Sequence, residues 1–255
     1  MTGAFMLSLV AGVCIAAVAG VIGAFAVTKK MTLAGDVLSH VALPGVGLAL
    51  AYHFSPTLGA AAALALAAYA IWAVRVRTRL PEETVIGVIF TAALAAGVLI
   101  TPEEELVETL FGGLRVLTLP ETVFAITGSL VVLAGMIFLL RKLTLAVLSP
   151  ELAAASRLNV QGLELLFLFA FAATVLLGFR FAGTLLMGAL IIVPAAAAKN
   201  VAPSFKSFLL LSVIFSVVAT ITGLLIGNAV HISPGPPAIL VGVIFFAATL
   251  FFRKA

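Results

Sequence analysis

The stretch FMLSLVAGVCIAAVAGVIGAFAV, residues 5–27, contains no charged side chain and runs into Thr28-Lys29-Lys30. A helix crosses the hydrocarbon core of a bilayer with about 20 apolar residues, all of its backbone polar groups bonded within the segment. The run is long enough for that. No basic residue precedes it and two lysines follow, the reverse of the polarity of a cleaved leader, so it is expected to remain as a spanning helix.

Working outward, runs of the same character recur at approximately 33–53, 57–74, 84–101, 122–140, 162–179, 182–198, 207–227 and 236–252. The breaker His53-Phe54-Ser55-Pro56 separates the second from the third, and the proline-bearing stretch from Gly227 to Pro237 separates the last two. Phe179-Arg180-Phe181 leaves only a tight turn before the run at 182–198. Composition leads to the same place: 64% of the 255 residues are hydrophobic and 9% charged, against about 25% charged in soluble domains. A mean hydropathy of +1.32 is more than a water-soluble fold can hide. The expectation is an all-α polytopic membrane protein of about nine transmembrane helices, with residues 1–255 forming a single transmembrane domain.

The 14 Lys and Arg residues give a net charge of +4, and their placement gives the orientation. Lys29 and Lys30, then Arg75, Arg77 and Arg79, then Arg141, Lys142 and Arg157, then Lys199 and Lys206, then Arg253 and Lys254 all fall in alternate connections. Arg115 and Arg180 are the exceptions. By the positive-inside rule the N-terminus lies outside and the C-terminus in the cytoplasm. Short basic clusters between apolar runs are orientation signals, so a nucleic-acid partner is not expected and membrane lipid is. Cys14 is the single cysteine; it permits no intrachain disulfide and is expected to pack as a thiol.

Two connections exceed a turn. The outer one, Pro102 to Glu121, is acidic at Glu103, Glu104, Glu105 and Glu108, which reads as a solvated loop or as a stretch that attracts cations or docks a partner, and then carries Phe111-Gly112-Gly113-Leu114, suggesting a short helix lying on the surface. The inner one, Arg141 to Gln161, contains Ser149-Pro150-Glu151-Leu152-Ala153. There Ser149 suits an N-cap, Pro150 the first helical position and Glu151 the helix dipole, while Asn159 can end the helix. A short helix at the cytoplasmic face follows.

Ionisable side chains within spanning segments are costly and mark function. Asp36 and His40 are one helical turn apart and project from one face. A carboxylate and an imidazole so placed can hold a divalent transition metal in an incomplete, releasable site, or relay a proton. Pro44 adds to this by removing the hydrogen bond that the His40 carbonyl would receive, loosening the helix there. The structural alternative is that Asp36 pairs with Lys29 and Lys30 at the inner interface. His53 and His231 fall at outer helix ends and read as solvated histidines within reach of an arriving ion. Glu164 reads as an interface charge, and Pro194 as a kink.

Equally telling, the chain has no GxxxxGK[ST] loop, HExxH, GxSxG or Cys–His nucleophile arrangement. It is not expected to be an enzyme, and its energy must come from an ion gradient or another subunit.

The block Gly35-Asp36-Val37-Leu38-Ser39-His40-Val41-Ala42-Leu43-Pro44-Gly45-Val46 resembles the permease subunits of bacterial zinc/manganese ABC importers. The likeness recurs from Phe181 to Ala196 and at Ser233-Pro234-Gly235-Pro236-Pro237, more loosely at Leu110 to Leu114, in the family's order along nearly the whole chain. The resemblance implies a type II importer fold, similar to the vitamin B12 permease, in a prokaryotic cytoplasmic (inner) membrane. It implies a homodimer with the pore on its two-fold axis, two cytoplasmic ABC ATPase subunits below and an extracytoplasmic metal-binding protein above. Asp36 and His40 match the pore-lining acidic and histidine positions. The segment holding Ser149, Pro150, Glu151, Leu152, Ala153, Arg157, Leu158 and Asn159 matches the ATPase-coupling helices. No cofactor is bound by the chain itself; Zn2+ or Mn2+ is cargo and ATP belongs to the partner subunits. Nitrogen ligation favours zinc as that cargo, with manganese or iron next.

Three other readings compete with this one. A proton-coupled secondary cation transporter would use Asp36 and His40 as its relay. An intramembrane enzyme lacks a motif, and a siderophore or cobalamin permease is disfavoured by the short chain and the Asp–His pair.

Overall fold

Within a bilayer only segments that satisfy their own backbone hydrogen bonds persist, so the apolar runs become helices and the breaks between them become short turns. The computed structural model describes residues 3–78, 80–101 and 118–252. Among the described residues the elements are α1 (Gly3–Thr28), α2 (Thr32–Ala51), α3 (Pro56–Arg77), α4 (Glu82–Ile100), α5 (Leu119–Leu148), α6 (Pro150–Ala155), α7 (Val160–Ala182), α8 (Thr184–Val201), α9 (Phe205–Val230) and α10 (Gly235–Leu250). Seven are long and apolar enough to cross a membrane, and α8 and α10 contain shorter apolar stretches. Together these account for the nine apolar runs of the sequence.

Boundaries moved where local chemistry allowed. Expected to stop near residue 140, α5 continues to Leu148 and carries Arg141 and Lys142 exposed on its surface. Both are good helix formers, and no breaker occurs before Ser149-Pro150. Likewise α7 passes through Phe179-Arg180-Phe181 as helix and ends only at Gly183, whose φ of 82° suits a residue without a Cβ. At the start of α5, Thr118 donates from its backbone N–H and its hydroxyl to Glu121 Oε2, at 2.9 and 2.8 Å.

The core is built around α1, which packs on α5, α8 and α9, with Ile15, Ile22 and Phe25 fully buried. Phe25 meets Phe167 of α7 and Phe205 of α9 ring to ring, at centroid separations of 6.3 and 5.4 Å. The second helix, α2, sits between α3, α4 and α8. Its contact with α3 is close because Gly45 and Gly59 face each other, and a Cβ on either would collide with the other's carbonyl oxygen. Small residues allow this kind of backbone approach in lipid. By contrast α4 and α5 leave most of their length exposed, with Val88, Leu99, Val131 and Phe138 turned outward.

Candidate functional site

The connection from α1 to α2 is only Lys29-Lys30-Met31. Lys30 adopts φ 61°, Met31 is buried, and its backbone N–H donates to the Ala26 carbonyl at 2.9 Å. This pins the start of α2. Asp36 and His40 follow on that helix one turn apart, about 6 Å along the axis; the Asp36 side chain lies outside the described residues.

His40 is half-buried, its ring edge-on to Phe90 of α4 with centroids 5.1 Å apart and planes inclined at 72°. From there α4 runs alongside α2 in the same direction. A Cβ on Gly97 would lie 3.3 Å from Pro44 Cδ, and the Thr101 hydroxyl donates to the Leu43 carbonyl at 3.2 Å. Against the loosening expected at Pro44, α2 stays helical through it, because α3 and α4 clamp it on both sides. Pro194 is likewise contained within a continuous α8.

The neighbour on the other side is α8. A Cβ on Gly188 would lie 2.8 Å from the Gly35 carbonyl oxygen and 2.9 Å from Ser39 Oγ, so glycine is what lets α8 approach α2 beside the Asp36–His40 turn. The Ser39 hydroxyl donates to the Gly35 carbonyl at 2.6 Å. Little more than one turn before Gly188, the break at Gly183 is itself buried. Irregular backbone at such depth is tolerated where protein or a polar cavity covers it.

A cavity of about 500 Å³ opens between α2, α3 and α4, lined by Val41, Pro44, Leu48, Leu66, Ala70, Ile89 and neighbours of the same kind. Among the described residues no ionisable side chain lines it. Among the described residues no three His, Cys, Asp or Glu side chains converge as a metal site.

At the basic end of the bundle Glu164 of α7 is buried and accepts from Lys29 Nζ at 2.8 Å, and it also pairs with Arg75 of α3. The Lys29 ammonium lies 5.3 Å from the centroid of the Phe167 ring. Sequence reasoning read Glu164 as an interface charge without identifying its partners. The cluster brings the ends of α1 and α3 and the start of α7 together, as the alternation of basic connections requires.

Next to it lies the segment expected to meet an ATPase. The short helix forms at Pro150–Ala155, with Glu151 and Leu152 exposed and Ala153 fully buried. Ser149 stands at its N-cap without a side-chain hydrogen bond. The expected role of Asn159 is corrected: it does not end this helix but opens α7, its side chain accepting from the Gly162 N–H at 2.9 Å. The helix ends instead through Arg157, at φ 54°, and the Leu158 N–H bond to the Ala153 carbonyl.

His53 and His231 stand at the far ends of α2 and α9, exposed and at φ 55° and 56°. In each case the following residue's N–H closes the helix, Phe54 onto Ala49 and Ile232 onto Gly227. The acidic run Glu103–Glu108 and Phe111–Leu114 lie outside the described residues.

With this geometry in place, the sequence profile of the ABC 3 transport family matches residues 2–253. The chain belongs to that family. It is 27% identical over 252 residues to the high-affinity zinc uptake system membrane protein ZnuB of Haemophilus influenzae, covering 97% of both chains. It is 30% identical to the manganese import system permease protein ScaB of Streptococcus parasanguinis, over 96% of this chain and 89% of that one. Among solved structures, PsaBC from Streptococcus pneumoniae in complex with Fab superposes with a TM-score of 0.87 at 26% identity, over 100% of this chain and 93% of that one. The resemblance carried by the Gly35–Val46 block thus extends over nearly the whole chain. The ABC 3 chain described here is a multi-pass ABC transporter permease of an inner membrane, with the fold expected of one.

Proposed function

We propose that this permease forms the membrane path of an ATP-driven importer of divalent transition metal, with zinc as the preferred cargo. The observation that carries the reading is His40, one turn after Asp36, half-buried within the bundle of a chain that fits the ABC 3 family from end to end. The relatives named for zinc and for manganese support the class of cargo. An imidazole beside a carboxylate favours zinc within that class.

In this reading two copies of the chain face each other across a two-fold axis, N-termini outside. Asp36 and His40 from both give the ion a polar stop on an otherwise apolar route. One protomer supplies too few ligands to trap the ion, and the stop must be weak enough to release it. Two cytoplasmic ATPase subunits bear on α6, and an extracytoplasmic binding protein delivers the metal at the opposite face.

The test is reconstitution with the neighbouring ATPase and binding protein in vesicles, following ATP-dependent uptake of zinc against manganese. Uptake that needs ATP and persists when the pH gradient is collapsed is expected. Transport driven by a pH gradient without ATP would replace this reading with a proton-coupled one. Asp36→Ala and His40→Ala are each expected to lower uptake at least tenfold while the complex still assembles; full transport by the double variant would overturn the assignment of the pair.

A further inference from the structure

We propose that the Lys29–Glu164–Arg75 cluster is the joint that delivers movement of α6 to α2, which makes Glu164 and Lys29 positioning residues for the ion stop. The inference rests on the function proposed above and adds to it the route by which work done at the cytoplasmic face reaches the pore helix.

The route is continuous. Helix α6 joins α7 through residues 156–159: Leu158 N–H bonds to the Ala153 carbonyl at 3.1 Å, and Asn159 caps the first turn of α7. Ala153 is buried beneath it, so a shift of α6 presses on the packing that this short connection shares with the first turn of α7. Glu164 lies one turn further. Its carboxylate holds Lys29 at 2.8 Å and Arg75 as well, and α3 gains a second tie where Trp72 Nε1 donates to the Gln161 carbonyl at 2.9 Å. Lys29 ends the α1 side of the turn from which α2 begins. His40 is eight residues beyond Thr32, about 12 Å along the helix.

The chemistry suits a joint that is either made or broken. A buried carboxylate is tolerated only while paired, and its attraction to a cation in low dielectric is strong and short in reach. A salt-bridge network that can be made or broken is one of the contacts through which coupling between distant sites is carried.

The experiment measures metal imported per ATP hydrolysed in vesicles holding the complete complex with its ATPase and binding protein. Lys29→Gln removes the charge that ties Glu164 to the turn before α2 and lies over Phe167, and leaves Arg75 to neutralise Glu164, so assembly is expected to be retained. It is expected to hydrolyse ATP at no less than the wild-type rate while the metal-to-ATP ratio falls at least tenfold. Lys29→Arg, which restores the charge, should recover the ratio to within twofold. Glu164→Gln should lose coupling at least as severely as Lys29→Gln. A wild-type ratio in Lys29→Gln overturns the proposal, as does equal loss in Lys29→Arg, because then the ion pair is not what matters. If the wild-type complex moves neither zinc nor manganese with ATP, the function proposed above fails first and independently.

Discussion

At the scale of the residue, some positions act only by setting the distance between helices, and Gly188 is one of them. A methyl group there would meet the Gly35 carbonyl and Ser39 Oγ inside van der Waals distance, and backbone cannot yield as a side-chain end can. Gly188→Ala should therefore push α8 off α2, costing about 1–3 kcal/mol as overpacking does. The expected result is a lower melting temperature in detergent and reduced uptake; an unchanged melt would show that the two helices give way freely. Asp36 and His40 stand out in the sequence because ionisable side chains are rare within an apolar run, and their part in an ion stop is the proposal made above. Glu164 was visible for the same reason, but its partners were not. Lys29 is 135 positions away, and which cation closes on a carboxylate is decided by helix packing that no local pattern encodes. The exposed histidines at 53 and 231 were located correctly at helix ends, while their left-handed backbone could not be read from residue type, since glycine or asparagine is the usual occupant there.

At the scale of the element, the cytoplasmic segment is the most instructive. Ser-Pro-Glu-Leu marks a helix start plainly, and the helix is where that signal places it. Its end was misread because Asn serves both ends of helices, and here the glycine three residues later supplies an N–H for it to cap. The amphipathic result has a consequence for assembly: Ala153 faces the bundle while Leu152, 59% exposed, faces away from it. An apolar side chain held out at the basic end on a rigid one-and-a-half-turn helix is suited to a pocket on another protein. Leu152→Glu is expected to leave the permease folded and membrane-inserted, yet to reduce co-purification of the ATPase subunit more than tenfold. Retention of the ATPase by this variant would remove α6 from the interface. The lengthening of α5 teaches the same lesson in reverse, since Arg141 and Lys142 signal a membrane boundary in sequence but do not interrupt a helix.

At the scale of the whole molecule, the apolar runs and the basic connections are strong, redundant signals, and they made the number and order of the helices readable. Tertiary neighbours were not readable; nothing in the sequence said that α2 would be clamped by α3, α4 and α8. The orientation is open to direct measurement because Cys14 is the single thiol. In a Cys14→Ala background, a cysteine introduced at Ser55 should react with a membrane-impermeant maleimide in intact cells. One introduced at Ser156 should react only after permeabilisation; the opposite pattern would invert the topology. One feature of the bundle bears on its surroundings. Apart from α6, its described helices range from the 30 residues of α5 to the 16 of α10, or about 45 Å against about 24 Å of axial length. The apolar part of α5 ends at Arg141 and matches a core of about 30 Å, its last turns projecting beyond it, whereas α10 is shorter than that core and draws the lipid beside it thinner. Import measured across phospholipids of graded acyl length should accordingly pass through a maximum, and a steady rise or fall with chain length would show that the protein, and not the lipid, absorbs the mismatch.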